Sequence, residues 1–268
     1  MLVPVLLVVV WAGRPWIALA MAAIVALAAF ETFRLLAAAG RPALMPLGIA
    51  IATGVALDAA APADVADRSI LIVGIGVVLA ALGAFSRQDP AEGLAVWMTT
   101  VFGAVYVAQL AFVARLGTLA PALPSDAALA GWGTDRAWLL VLIGAVWAYD
   151  TGAYLVGRQF GRHRFLTHIS PSKTYEGAIG GTIAATVAVG IVLGLIGQPL
   201  IPGLVLGPLL AAAAQAGDLA ESMLKRAAGV KDSGALIPGH GGILDRVDSF
   251  LFAAPALALY VATVVHQG

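Results

Sequence analysis

The chain has no cysteine. A disulfide framework and a thiolate metal site are therefore both excluded, and any metal it holds must be taken by oxygen or histidine. Charge is scarce too: 11% of its 268 residues are Asp, Glu, Lys or Arg, against about 25% in soluble domains. Neither sign is in excess, because fifteen Lys and Arg balance fifteen Asp and Glu. Bulk electrostatics therefore name no partner, and no nucleic acid is expected. Hydrophobic residues make up 61% of the chain, and its mean hydropathy is +0.96. That composition belongs to an integral membrane protein.

Apolar segments recur at about 2–12, 16–39, 43–62, 69–85, 94–114, 137–156, 177–197, 200–216 and 247–265. Lipid offers the backbone no hydrogen-bond partners, so stretches of this length must be helical rather than open sheet. The expected fold is all-α, a polytopic membrane bundle of about eight or nine transmembrane helices. Residues 1–136 supply N-terminal helices, and 137–268 supply C-terminal helices with two charged segments, 150–177 and 217–248. The opening MLVPVLLVVVWAGRPW lacks the basic region that precedes the core of a secretory signal. It reads as a first membrane helix, although its apolar run is shorter than the roughly 20 residues of a full span.

If the loops alternate sides, one side holds Arg34, Arg41, Arg87, Arg158, Arg162, Arg164, Lys173, Lys225, Arg226, Lys231 and Arg246. The other keeps Arg14, Arg68, Arg115 and Arg136. The positive-inside rule makes the first side cytoplasmic, and both charged segments fall there. Small residues line some helices: Gly144, Ala148 and Gly152 recur every four residues, as do Gly177 and Gly181. Such faces let helices pack closely in lipid, and they also permit a homodimer.

The first charged segment, DTGAYLVGRQFGRHRFLTHISPSKTYEG, sets Arg158, Arg162, Arg164 and Lys173 against Glu176. A basic loop beside a membrane can be an orientation signal or a contact for anionic lipid heads. Ser170, Lys173 and Thr174 suggest more, because hydroxyls and a lysine leading into a helix place donors where a phosphate binds well. The segment is not a P-loop, since Ser172 stands where a glycine should precede the Lys-Thr pair. Asp150 sits within an apolar helix, and a site role and a structural hydrogen bond are equally open for it. His163, His168 and His266 have no metal spacing and read as surface residues.

In the second segment Asp218, Glu221, Ser222 and Lys225 stand at i, i+3, i+4 and i+7, one face of a helix. Asp245 and Asp248 are three apart at the start of the last apolar run. Between them Gly234, Pro238, Gly239, Gly241 and Gly242 break regular structure and let backbone N–H groups face an anion. Ionisable residues beside lipid are costly and call for a partner. That partner can be protein, with Asp218 on Lys225 or Arg226, and Asp245 and Asp248 either on Arg246 or simply capping a helix. It can also be a metal: oxygen ligands close to phosphate-binding groups suit Mg²⁺, with Asp218 and Asp245 as leading ligands. His240, between glycines, is either a phosphate contact or a turn residue.

The order Ser222, Lys225-Arg226, Lys231-Asp232, Pro238-x-His240-Gly241-Gly242, Asp245-Arg246-x-Asp248 resembles the signature of phosphatidate cytidylyltransferases, the CDP-diacylglycerol synthases. The first segment is similar to theirs as well: Asp150-Thr151-Gly152, Gly161-Arg162, Ser170-Pro171-x-Lys173-Thr174 and Glu176-Gly177. The likeness is dense over 150–255; the N-terminal half matches in hydropathy alone. Ser172 stands where the family commonly has lysine, Tyr175 where it has tryptophan, and Ala227 where an acid usually follows the Lys-Arg pair.

The resemblance implies Mg²⁺-dependent transfer of CMP from CTP to phosphatidic acid, giving CDP-diacylglycerol and pyrophosphate. It implies an active site at the cytoplasmic face of a multi-pass protein, expected in a bacterial inner membrane among membrane lipids. Asp218, Lys225, Asp245 and Asp248 would be catalytic, and Asp218, Asp245, Asp248 and Glu221 would hold one or two cations. Ser170, Lys173, Thr174, Ser222, Arg226, Lys231, His240 and Arg246 would be divided between CTP and the lipid phosphate. Alternatives are a cytidylyltransferase for another lipid phosphate, a CTP-dependent lipid kinase, and, from a different class, a transporter. Against the last, the charges gather at one face and no polar path continues across the bilayer.

Overall fold

A computed structural model of the chain describes residues 13–61, 68–235 and 241–264. The apolar run at 2–12 and His240 lie outside these residues. Nine α-helices are described: α1 (Arg14–Ala38), α2 (Met45–Ala60), α3 (Ser69–Ala84), α4 (Pro90–Ala108), α5 (Ala111–Leu119), α6 (Thr134–Phe160), α7 (Tyr175–Leu195), α8 (Leu200–Ala227) and α9 (Leu244–Thr263), with a single 3₁₀ turn at Ala130–Trp132. There is no strand among the described residues, as the lipid argument requires. Six helices, α1, α4, α6, α7, α8 and α9, are long and apolar enough to cross a membrane. Helices α2 and α3 are apolar but have sixteen residues each, about 24 Å at 1.5 Å per residue.

Three boundaries differ from expectation. The segment at 94–114 divides into α4 and α5, because Leu110, Phe112 and Val113 each donate to the carbonyl three residues back. These tight turns interrupt the α-helical ladder. Helix α8 runs eleven residues beyond 216 to Ala227, so it stays regular through Asp218, Glu221, Ser222 and Lys225. It stops at Gly229, whose φ of 70° is left-handed, while the Val230 N–H reaches back to the Lys225 carbonyl at 3.0 Å. Gly197 (φ 71°) ends α7 in the same way, a common helix stop that satisfies orphan carbonyls. Helix α9 starts at Leu244 rather than 247 and so includes Asp245 in its first turn.

The chain divides into two compact units. The first comprises Met1–Ala114 with Met223–Val247. Within it α1 packs on α2 and α4, and α2 and α3 pack on each other and on α4. Phe33, 2% exposed, is a centre of this core. Its ring fills the space that a side chain would need at Gly48 and at Gly103, so two glycines on two helices make room for one aromatic ring.

The second unit comprises Arg115–Ser222 with Asp248–Gly268. Its main feature is the α6–α7 pair. A Cβ at Gly152 would meet the Gly180 carbonyl and Gly181 Cα, at Gly177 the Ala153 carbonyl, and at Gly181 the Tyr149 carbonyl and ring. The small faces read from the sequence are thus filled by this helix pair. Gly144 is the exception, since a Cβ there would make only an ordinary contact with Val192 at 3.8 Å.

Candidate active site

In the second unit the segment between α6 and α7 folds as a short hairpin. Arg164 and Thr174 form an isolated antiparallel bridge, the Tyr175 N–H donates to the His163 carbonyl at 2.9 Å and the Phe165 N–H to the Lys173 carbonyl at 3.3 Å. Glu176 fixes the open end. It accepts from the backbone N–H of Arg162 (3.1 Å) and of His163 (3.2 Å), and it lies 2.6 Å from His163 Nδ1. Thr174 caps α7 by accepting from the Gly177 N–H at 3.1 Å. The hairpin tip turns through Leu166, the one non-glycine residue with positive φ (49°) among the described residues.

This framework delivers Lys173. Its Nζ lies 2.6 Å from Asp218 Oδ2 on α8, with the two side chains 17% and 33% exposed. The Ser222 hydroxyl, one helical turn on, donates to Asp218 Oδ1 at 3.3 Å. Asp150, exposed on α6, is close enough to Asp218 and Lys173 for their charges to act on it. Next to Asp218, Gly217 packs against the backbone carbonyl of Asp248. Asp248 is half-buried at this crossing. Glu221 is fully buried.

In the first unit the centre is Asp245, at the first turn of α9. Lys225 Nζ lies 2.7 Å from its Oδ1, with side chains 13% and 12% exposed. Its Oδ2 accepts from the Ser233 N–H (2.9 Å), the Ser233 hydroxyl (2.9 Å) and the Gly242 N–H (2.8 Å). Among the described residues of this segment, the Ser233 and Gly242 N–H groups therefore turn onto a carboxylate of the protein itself. Arg226 is exposed and donates to the Val230 carbonyl at 3.2 Å, while Lys231 and Arg246 are exposed.

The structure thus joins Lys173, Asp218 and Ser222 in one unit and Lys225 and Asp245 in the other. The protein-partner reading set Asp218 on Lys225 or Arg226, and Asp245 or Asp248 on Arg246; the lysines described beside Asp218 and Asp245 are Lys173 and Lys225. Ser170 lies at the base of the hairpin tip, where it accepts from the Lys173 N–H at 3.4 Å. Thr174 is 9% exposed and occupied as a helix cap. His163, read as a surface residue without a role, has an exposed ring but fastens the hairpin to Glu176.

Among the described residues no three His, Asp or Glu side chains stand together as a preformed metal cage. Mg²⁺ does not need one, because it is usually held by one or two carboxylates with substrate phosphates and water. Asp218 fits that chemistry once Lys173 leaves its Oδ2, with a third of its side chain exposed. Asp245 fits it by exchanging Lys225 for the cation, since both of its oxygens already have partners.

One residue was missed. Glu31 on α1, 1% exposed, accepts from the Ser233 hydroxyl at 3.0 Å, the Leu244 N–H at 2.8 Å and the Ile243 N–H at 3.1 Å. The signal was available in AAFETFRLL, where an acid interrupts an apolar helix.

The model of the cytidylyltransferase family matches residues 1–264. The chain belongs to that family. It is 46% identical over 129 residues to a protein named phosphatidate cytidylyltransferase from Synechocystis, a stretch covering 47% of this chain and 43% of the relative. Proteins of the same name from Haemophilus influenzae and Bacillus subtilis are 45% identical over 128 residues and 47% identical over 120. Those matches cover 46% and 44% of this chain and 44% of each relative. The aligned stretch is therefore less than half of each relative's length.

Proposed function

We propose that the chain transfers CMP from CTP to phosphatidic acid, releasing pyrophosphate and leaving CDP-diacylglycerol in the membrane. The observation that carries this reading is the Lys173–Asp218 pair: an oriented, partly exposed cation and carboxylate on a hairpin and helix of a cytidylyltransferase-family membrane protein. In the reaction a phosphatidate oxygen bonds to the α-phosphorus of CTP, and the bond from that phosphorus to the oxygen bridging to the β-phosphate breaks. A phosphate monoester with a second pKa near ~6 is already largely dianionic at neutral pH, so the nucleophile needs no strong base. The difficulty is repulsion between two anions, and it is met by positioned positive charge.

Lys173 supplies such charge. It rests on Asp218; a triphosphate would compete for it and free the carboxylate. In one unit Asp218, with Asp248 and Glu221 as further candidates, and in the other Asp245, are the oxygen ligands that would hold Mg²⁺. When bound, Mg²⁺ supplies charge neutralisation for the triphosphate and for the departing pyrophosphate. Arg226, Lys231 and Arg246 are exposed and available to phosphates of either substrate. The excess of basic residues on one set of loops supports a cytoplasmic face for this chemistry. The acyl tails stay in lipid, which avoids extracting them at ~0.8 kcal/mol per CH₂.

The test is direct. Protein purified in detergent and given phosphatidic acid, Mg²⁺ and CTP labelled in the α- or γ-phosphate transfers the α-label to lipid and releases the γ-label as pyrophosphate. Transfer of the γ-label to lipid would instead identify a kinase. An Asp218→Ala enzyme as active as the parent would remove the assigned site.

A further inference from the structure

The carboxylate of Glu31 is buried in the first unit. It lies in an apolar helix, yet none of its three observed donors comes from that helix. All three come from the second charged segment, 202 to 213 residues further along the chain. A buried carboxylate is costly unless it is hydrogen-bonded, so these contacts fix where the segment can lie. Two of them, the N–H groups of Ile243 and Leu244, belong to the start of α9. A helix leaves its first N–H groups without partners, and a carboxylate there is stabilised by the helix dipole. Glu31 thus caps, from a different helix, the helix that carries Asp245.

The third contact links Glu31 to Asp245. The Ser233 hydroxyl lies 3.0 Å from Glu31 Oε2 and 2.9 Å from Asp245 Oδ2. A hydroxyl has one hydrogen to donate, so the two carboxylates compete for it. The space around them is closed: a Cβ at Gly234 would run into the Glu31 carboxylate, and one at Gly242 into both Glu31 and the Ser233 hydroxyl. These two glycines are therefore required by the close approach of a side chain rather than by backbone conformation.

We infer that Glu31 is a positioning residue for the proposed CMP transfer: through Ser233 and the first turn of α9 it holds Asp245 in the orientation the reaction uses. The inference rests on the functional reading above. On this reading Glu31 acts through Asp245, and misplacing a catalytic group by about 1 Å can cost about 100-fold in rate.

Glu31→Gln tests this. The amide keeps the shape and one oxygen, but presents an NH₂ group to donors on one side. Two measurements are made on the full chain in detergent: amide hydrogen exchange over 231–246, and steady-state CMP transfer per folded molecule. Exchange at Ile243 and Leu244 should quicken about tenfold or more, with kcat down about tenfold or more and KM for CTP changed less than about threefold. Ser233→Ala should do the same to kcat, and the double variant should be little worse than either single one, since all three break one chain of contacts. Should Glu31→Gln fail to fold, the kcat and KM of Ser233→Ala decide: an undiminished kcat overturns the positioning role. Unchanged exchange at Ile243 and Leu244 overturns the tie. Faster exchange with undiminished kcat overturns the positioning role and leaves a structural one. If the parent protein transfers no CMP, the functional reading fails, the positioning role fails with it, and the exchange data alone decide whether Glu31 secures the loop.

Discussion

Two lysine–aspartate pairs occur in this chain at nearly the same distance, Lys173–Asp218 at 2.6 Å and Lys225–Asp245 at 2.7 Å. Their surroundings differ. Asp218 is a third exposed and is otherwise held by a long Ser222 contact. Asp245 is nearly buried and takes three more donors on its second oxygen. An ion pair with few other bonds can be exchanged for a ligand, whereas one embedded in a hydrogen-bond network holds its surroundings together. The same two residue types therefore sit in different surroundings: the first pair has few other bonds, and the second is also tied to a loop and a helix start.

The contrast can be broken by mutation. The largest effect should come from Asp245→Ala, which leaves Lys225 nearly buried without its carboxylate and strips the loop of its acceptor. Breaking such a pair costs about 3–5 kcal/mol, so the melting temperature in detergent should fall sharply, together with activity. A melting temperature equal to the parent's would show that the network does not hold the loop. Asp218→Asn should do the reverse, with CMP transfer down about 100-fold, the scale for losing one charge-stabilising group, and thermal unfolding little changed. If it unfolds as readily as Asp245→Ala, the two pairs are not different in kind.

Thr174→Val sharpens the comparison further, since it removes the cap of α7 beside Lys173. Losing such a cap costs about 1 kcal/mol, and the loosened hairpin should raise KM for CTP more than it lowers thermal stability. The smallest effect belongs to Glu92→Ala. Its partner Arg87 lies 3.1 Å away with both side chains more than a third exposed, and a surface pair of this kind contributes no more than about 0.5 kcal/mol. A marked loss of stability there would undercut the use of exposure to sort these pairs.

The helices were legible from hydropathy because a backbone in lipid has few alternatives. The four residues Asp218, Glu221, Ser222 and Lys225 were legible as one helix face because spacing alone sets it. Contacts between segments distant along the chain were not legible. Lys173 and Asp218 are separated by a whole helix, and the charges of the second segment offered nearer partners for Asp218. The glycine-rich loop looked like a cradle for an external anion because its composition cannot say whose anion it is; its described donors face Asp245 and Glu31. The break between α4 and α5 had no proline or glycine to announce it.

The distance along the chain between Glu31 and its partners also bears on synthesis. Chain elongation at about 5–20 residues per second puts roughly 10–40 s between Glu31 and Ser233, their sequence separation being 202 residues. For that interval the first apolar helix carries an acid without the three donors that later surround it. Until residues 233–244 are made, that carboxylate lacks the donors that later hold it, and water, lipid headgroups or the insertion machinery must take their place. A nascent chain arrested before Ser233 should therefore hold this helix less firmly than the finished protein does.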